Sequence, residues 1–150
     1  MVERQRTFAV EVTASSSADA PELFALVADA RRWAQWARPV VAHAFVEREG
    51  DPAPGGVGSV RKLGRKPFLI REETVEYEQD RRHAYELRTP VPVKNYRGEV
   101  RLIPRDGGGT DLVWRCSFVE WIPGTGPAVR AGVRSLIQTL SGKLVRAAER

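Results

Sequence analysis

The chain has 150 residues, 24 Lys+Arg against 19 Asp+Glu and a formal charge of +5; 42% of it is hydrophobic and 29% charged. That balance excludes a disordered or membrane-embedded chain, and one cysteine with two histidines excludes a disulfide framework and every multi-cysteine zinc site. The length is that of one domain, residues 1–150, large enough to bury a core with a cavity inside it.

Thr7 to Thr13 alternates, with Phe8, Val10 and Val12 on one face, and reads as a strand. Ser15-Ser16-Ser17-Ala18-Asp19 offers N-cap oxygens, and Pro21 suits a first helical turn. Leu23, Phe24, Leu26 and Val27 then fall at helical spacing. Asp29-Ala30 permits a bend into a second short helix, Arg31 to Trp36, which Pro39 ends. Val40–Glu49, Val57–Leu63, Phe68–Gln79, His83–Arg88, Asn95–Ile103 and Thr110–Trp121 read as six further strands. Between them lie the turn signals Gly50 to Gly56, Gly64 to Pro67, Asp80-Arg81, the stiff Thr89-Pro90-Val91-Pro92, and Asp106 to Gly109. After Pro123 to Pro127, the residues Val129, Val133, Leu136, Ile137, Leu140 and Leu144 make one apolar stripe. A helix of about 22 residues here is roughly 33 Å long. Six consecutive strands with short turns pair antiparallel as a meander, and the apolar face of a sheet that long needs a cover. Only the last helix is long enough to supply one.

Of the cations, 20 are Arg and four Lys, mostly alternating with apolar residues as on a solvated strand face. No block of five like charges occurs, so no nucleic-acid partner is expected. No apolar run approaches the ~20 residues of a membrane span. Met1 to Arg6 leads into no signal-peptide core, which makes the cytoplasm the expected compartment.

The ordered pieces resemble the START or birch-pollen-allergen-like (SRPBCC) superfamily, in its polyketide cyclase/dehydrase-type branch. The resemblance is carried by Leu23 to Asp29 leading into Trp33, Trp36 and Pro39. Gly56-Val57-Gly58-Ser59-Val60-Arg61 and Glu73-Thr74-Val75-Glu76-Tyr77 continue it, followed by Arg81-Arg82 and Tyr85, the seventh strand and the final helix. It implies an α+β helix-grip fold, in which a seven-stranded curved antiparallel sheet wraps the C-terminal helix around an apolar cavity. It also implies a hydrophobic small-molecule partner (lipid, polyketide or aromatic metabolite), no cofactor and no stable membrane insertion. A monomer is compatible with it.

Strand alternation assigns candidate linings. Leu112, Trp114, Cys116 and Phe118 share one face, as do Tyr96, Gly98, Val100 and Leu102, and also His83, Tyr85 and Leu87. Trp33 and Trp36 lie on one side of the second short helix, as a wall for a planar ligand or as plain core filling. Leu63 on the third strand and Leu136 and Leu140 on the last helix complete the apolar set. The resemblance and Val75 turn two polar sets inward, Ser59, Arg61 and Leu63 on the third strand and Arg71, Glu73, Val75 and Tyr77 on the fourth. An Arg and a Glu in an apolar cavity must pair. The expectation is therefore an Arg61–Glu73 pair that orients a ligand carbonyl or hydroxyl, the alternative being a solvated pair on the outer face. Cys116 reads as a small buried hydrophobe and His43 as a partly buried core residue, with no geometry for a dyad. Gly55 to Gly58 leads into a strand, so no helix N-terminus waits there for a phosphate. Family aromatase/cyclases carry a Ser-x-Arg on the fourth strand, where this chain has Arg71-Glu72-Glu73-Thr74. Ser59-Val60-Arg61 has the spacing on the third strand instead. Three functions stay open: a binding protein, a cyclase/dehydrase-type enzyme with its catalytic residues unassigned, and a protein-interaction module marked by an exposed apolar patch.

Overall fold

A computed structural model describes residues 6–150; the start of the chain, Met1–Gln5, on which the compartment reading drew, lies outside the described residues. The order is β1 (Thr7–Ser16), α1 (Ala20–Ala28), α2 (Ala30–Trp36), β2 (His43–Arg48), β3 (Val60–Arg65), β4 (Phe68–Glu78), β5 (Arg82–Leu87), β6 (Val93–Pro104), β7 (Thr110–Glu120) and α3 (Gly126–Ala148). All seven strands form one antiparallel sheet in the spatial order β1-β7-β6-β5-β4-β3-β2. The meander from β2 to β7 is as expected, and β1 closes it by pairing with β7 from Thr7↔Val119 to Ser16↔Thr110. This is the α+β helix-grip architecture. No helix among the described residues is long and apolar enough to cross a membrane.

Two expected strands begin late. Val40 and Val41 lie in the turn after α2, and Val57 to Ser59 belong to the loop before β3. That loop folds on itself: Asp51 N–H donates to the Val57 carbonyl at 3.1 Å, and Glu49 accepts from Gly55 N–H at 2.9 Å. Gly55 has φ +80°, and a Cβ there would sit 2.0 Å from the Ala28 carbonyl oxygen. Only glycine lets this loop pass against the end of α1.

α1 leaves carbonyls unpaired at its C-terminus, as any helix does. The two tryptophans of α2 turn back to serve them. Trp33 Nε1 donates to the Val27 carbonyl at 2.9 Å and Trp36 Nε1 to that of Leu26 at 3.0 Å. The indoles pack with centroids 4.6 Å apart, and both side chains are buried.

α3 is seated on the sheet unevenly. Ile137, Leu140 and Leu144 are buried, whereas Val129 and Val133 are half-buried and Leu136 is exposed. Both ends are tethered. Glu120 accepts from Gly126 N–H at 2.7 Å, and Glu149 accepts from Ser16 Oγ at 3.0 Å and Ser17 N–H at 2.8 Å. The outer face of the sheet carries the alternating charges as a lattice: Arg82 and Arg97 on Glu76, Arg88 on Glu73 and Glu86, Arg101 on Glu99. Exposed pairs of this kind contribute about 0–1 kcal/mol each, so the lattice explains the arginine pattern better than the stability.

Among the described residues the inward face holds one buried ion pair, and it is not the expected one. Arg61 faces Glu72 across β3 and β4, not Glu73. Arg61 Nε donates to Glu72 Oε1 at 3.0 Å, Nη2 lies 2.8 Å from the same oxygen, and the residues are 2% and 6% exposed. Glu73 points to the outer face, beside Arg88 at 3.3 Å and Arg48 at 3.7 Å. The cause is a bulge in β4. The pairing with β5 slips between Thr74 and Glu76, leaving Val75 as the extra residue. Tyr77 does face inward, against Phe24 and His83, but counting back from it by twos through the bulge inverts the face of every earlier residue.

Two measurements follow from this packing. A Cβ at Gly98 would meet the Tyr85 ring at 2.2 Å. Gly98→Ala should therefore cost about 1–3 kcal/mol by urea denaturation, and the loss should shrink in a Tyr85→Ala background, where the ring is gone. Arg61→Met should cost about 3–5 kcal/mol because it leaves a buried carboxylate alone. Burial already pushes the Glu72 carboxyl above its ordinary 4.5 while Arg61 pulls it down. In Arg61→Met only the upward push remains. A folded carboxyl that titrates above its unfolded value keeps its share of stability below that unfolded value and loses it as pH rises. Stability of the variant should fall from pH 4.5 toward neutrality, and Glu72→Leu in the same background should flatten that slope.

Candidate functional site

The partial lift of α3 leaves a cavity of about 580 Å³ between its N-terminal half and the sheet. Val129, Val133, Leu136, Ile137 and Leu140 form the helix side; Leu63, Ile70, Glu72, Tyr85, Leu87, Tyr96 and Trp114 form the sheet side. Trp33, Val40, Val41, Arg65, Phe68, Val91, Pro92 and Val93 complete its border. Phe68 is 83% exposed, an aromatic ring left at the rim of an apolar hollow.

Of the residues expected to line a ligand site, Trp33, Leu63, Tyr85, Tyr96, Trp114, Leu136 and Leu140 do border this cavity. Five do not. Trp36 lies behind Trp33, capping α1. Phe118 sits between Phe8 and Tyr96, with ring centroids 5.6 and 6.5 Å away. Val75 is the half-buried bulge residue. Glu73 is on the outer face. Arg61 stands one layer behind the wall. Its guanidinium lies 4.5 Å from the Trp33 ring centroid and 5.2 Å from that of Tyr85, and Nη1 donates to the Val27 carbonyl at 3.0 Å.

Glu72 is the charged cavity residue that sequence reasoning missed. The signal was present in Ile70: an isoleucine opposite Leu63 marks the inward face, and stepping by two from it reaches Glu72 and then Thr74, both buried. Val40 reads as strand, Val91 as loop, Val129 and Val133 as helix stripe, and Val93 falls between the assigned elements. Their place on the cavity wall depends on how turns and helix tilt bring them together.

The polar groups cluster at the sheet. Tyr85 OH accepts from Trp114 Nε1 at 3.3 Å. Burial raises the Tyr85 and Tyr96 phenols well above the ordinary range, and the nearby Cys116 and Glu72 charges push the same way, so both stay protonated donors. Cys116 is fully buried and its thiol is pushed up to about 11, mainly by burial. A thiol so raised is no nucleophile at neutral pH. His43 is exposed on the edge strand β2, contrary to the core position expected, and four strands of the sheet separate β2 from the β7 that carries Cys116.

His83 belongs to the structural shell. Its Nε2 lies 3.1 Å from Thr74 Oγ1 and 3.2 Å from the Gly55 carbonyl, and a carbonyl only accepts, so the proton resides on Nε2. Burial first and the Arg61 charge second lower its pKa to about 3. It is a neutral post under the Gly50–Gly56 loop. No group of three or more His, Cys, Asp or Glu among the described residues is placed to hold a metal ion.

Known structures of the same architecture are numerous. The chain is similar to a START superfamily protein from Mycobacterium smegmatis at 15% identity, over 94% of this chain and 97% of that one, with a TM-score of 0.78. It is similar to a protein from Thermobifida fusca solved by NMR at 21% identity, over 92% and 93%, with a TM-score of 0.72. Norcoclaurine synthase from Thalictrum flavum in complex with dopamine and hydroxybenzaldehyde matches at 10% identity, over 95% of this chain and 87% of that one, with a TM-score of 0.72. At these identities the likeness is one of fold. No curated protein matches the sequence. Residues 7–149 match the family described as polyketide cyclase / dehydrase and lipid transport. That match spans nearly the whole chain, and the protein belongs to this family.

Proposed function

We propose that the protein binds a hydrophobic small molecule in the cavity between the sheet and α3. The observation that carries the reading is the contrast between the wall and its polar floor. A hollow of about 580 Å³ is walled by aliphatic and aromatic side chains, with one carboxylate and two phenols converging at the sheet. Pockets of some 300–1,000 Å³ with this composition are where small apolar ligands bind. The driving force is burial, about 25 cal/mol for each Å² of apolar surface removed from water. The family description includes lipid transport, which agrees with an apolar guest. The rim formed by Phe68, Val91, Pro92 and Leu136 is the way in on this reading.

A second reading, a cyclase- or dehydrase-type enzyme in the same cavity, is favoured by Glu72. A buried carboxylate facing bound ligand is a proton acceptor in position. Arg61 touches no guest on either reading, because Trp33 and Tyr85 stand in front of it. Its role is to hold Glu72.

The test uses N-phenyl-1-naphthylamine, a neutral probe that brightens in apolar surroundings. Titration should show saturable enhancement and a raised Tm, since a guest that binds only the folded state stabilises it. Ile70→Trp combined with Val133→Trp, both half-buried wall positions, should weaken the probe at least about tenfold by narrowing the hollow while Tm without probe stays within a few degrees. Unchanged affinity in that variant would overturn the cavity as the site.

A further inference from the structure

Glu72 is built as a receptor for one particular chemistry. Its Oε1 takes both contacts from Arg61, at 3.0 and 2.8 Å, while Oε2 receives no hydrogen bond from any described residue. The residue is 6% exposed and borders the cavity. A carboxylate oxygen without a donor, in a side chain this buried, carries a desolvation cost that a guest can relieve.

The surrounding charges decide what kind of guest. Arg61 and Glu72 cancel, so the deep end of the cavity is formally neutral. A carboxylate guest there would face Glu72 directly, with Arg61 screened behind Trp33 and Tyr85. The other charged residue on the wall is Arg65, out at the exposed rim. An ammonium guest would add a third charge to a dry pair that is already balanced. Burying an uncompensated charge is the costlier choice in each case. What remains is a neutral donor. Tyr96 and Tyr85 border the same cavity as neutral phenols, kept protonated by burial, with their hydroxyls beside Cys116.

Resting on the cavity as the binding site, we infer that the protein selects a neutral apolar molecule carrying a hydroxyl, seated deep, with that hydroxyl donating to Glu72 Oε2. Phenols and alcohols are the class; carboxylic acids entering acid-end first are refused.

Calorimetric titration of the intact protein with 2-naphthol, 2-methoxynaphthalene and 2-naphthoate tests this. The three share a ring system and differ in the polar group: donor, acceptor only, anion. A hydrogen bond to a charged acceptor predicts that 2-naphthol binds about 10- to 100-fold more tightly than 2-methoxynaphthalene. The anion should bind more weakly than 2-naphthol. In Glu72→Gln, the amide can offer its carbonyl to Arg61 and its NH2 to the cavity, turning acceptor into donor. The preference for 2-naphthol over 2-methoxynaphthalene should then drop below about threefold. Should Glu72→Gln fail to fold, the ligand series on the unaltered protein decides alone. Equal affinity for 2-naphthol and 2-methoxynaphthalene, or tightest binding of the anion, overturns the selectivity and leaves the cavity reading standing. Persistence of the full preference in a folded Glu72→Gln overturns the role of Glu72. Binding of none of the three, nor of the naphthylamine probe, overturns the cavity reading and the selectivity with it.

Discussion

One guanidinium joins the separate parts of this protein. Arg61 bonds to Glu72 on the next strand, donates to the last turn of α1 through the Val27 carbonyl, and is sandwiched by the rings of Trp33 and Tyr85. It thereby ties β3, β4, β5, α1 and α2 around one point. Removing a cation of this size from water costs several kcal/mol. The structure offsets that cost with a carboxylate, a carbonyl and two aromatic faces. Arginine suits the place because its planar, weakly hydrated head can be bonded at its edge and stacked on its faces together. The cavity wall inherits its order from this arrangement, since the groups that touch Arg61 on one side meet the hollow on the other.

The same packing explains why polar atoms occur in an otherwise apolar hollow. Glu72 is retained by Arg61, and Tyr85 is laid flat across Gly98, where any side chain would displace it. Trp33 and Trp114 use their indole nitrogens on backbone and phenol partners, leaving their ring surfaces as wall. Chemistry at the cavity is therefore set by residues whose first obligation is structural. Cys116 and His83 illustrate the opposite case: both are buried and chemically suggestive, and both are held in the neutral form by their surroundings.

Much of the architecture was legible in the chain. Alternation in β5, β6 and β7 identifies which side chains face inward, and the stripe from Val129 to Leu144 identifies the face α3 turns to the sheet, though not that only Ile137, Leu140 and Leu144 of it are buried. Register across a bulge was not legible. One extra residue at Val75 separates the inward Glu72 and Thr74 from the inward Tyr77 by an odd step, and no local preference announces it. Counting from Tyr77 gives Glu73; counting from Ile70 gives Glu72. The double duty of Trp36 was also hidden, because its hydrogen bond to Leu26 depends on how sharply α2 turns at Asp29. Val40 and Val41 look like strand residues and become lining only through the turn after Pro39. Composition and periodicity report the face of an element, whereas a cavity depends on the gap between elements.

The void also has a mechanical origin. With its first amide nitrogen pinned at Glu120 and its final turn pinned at Ser16 and Ser17, α3 behaves as a lintel resting on two posts. Its 23 residues span roughly 34 Å at 1.5 Å each. The span between the posts is where the interior room lies, and its shape can be retuned by exchanging single bricks along the opening while both posts stay where they are.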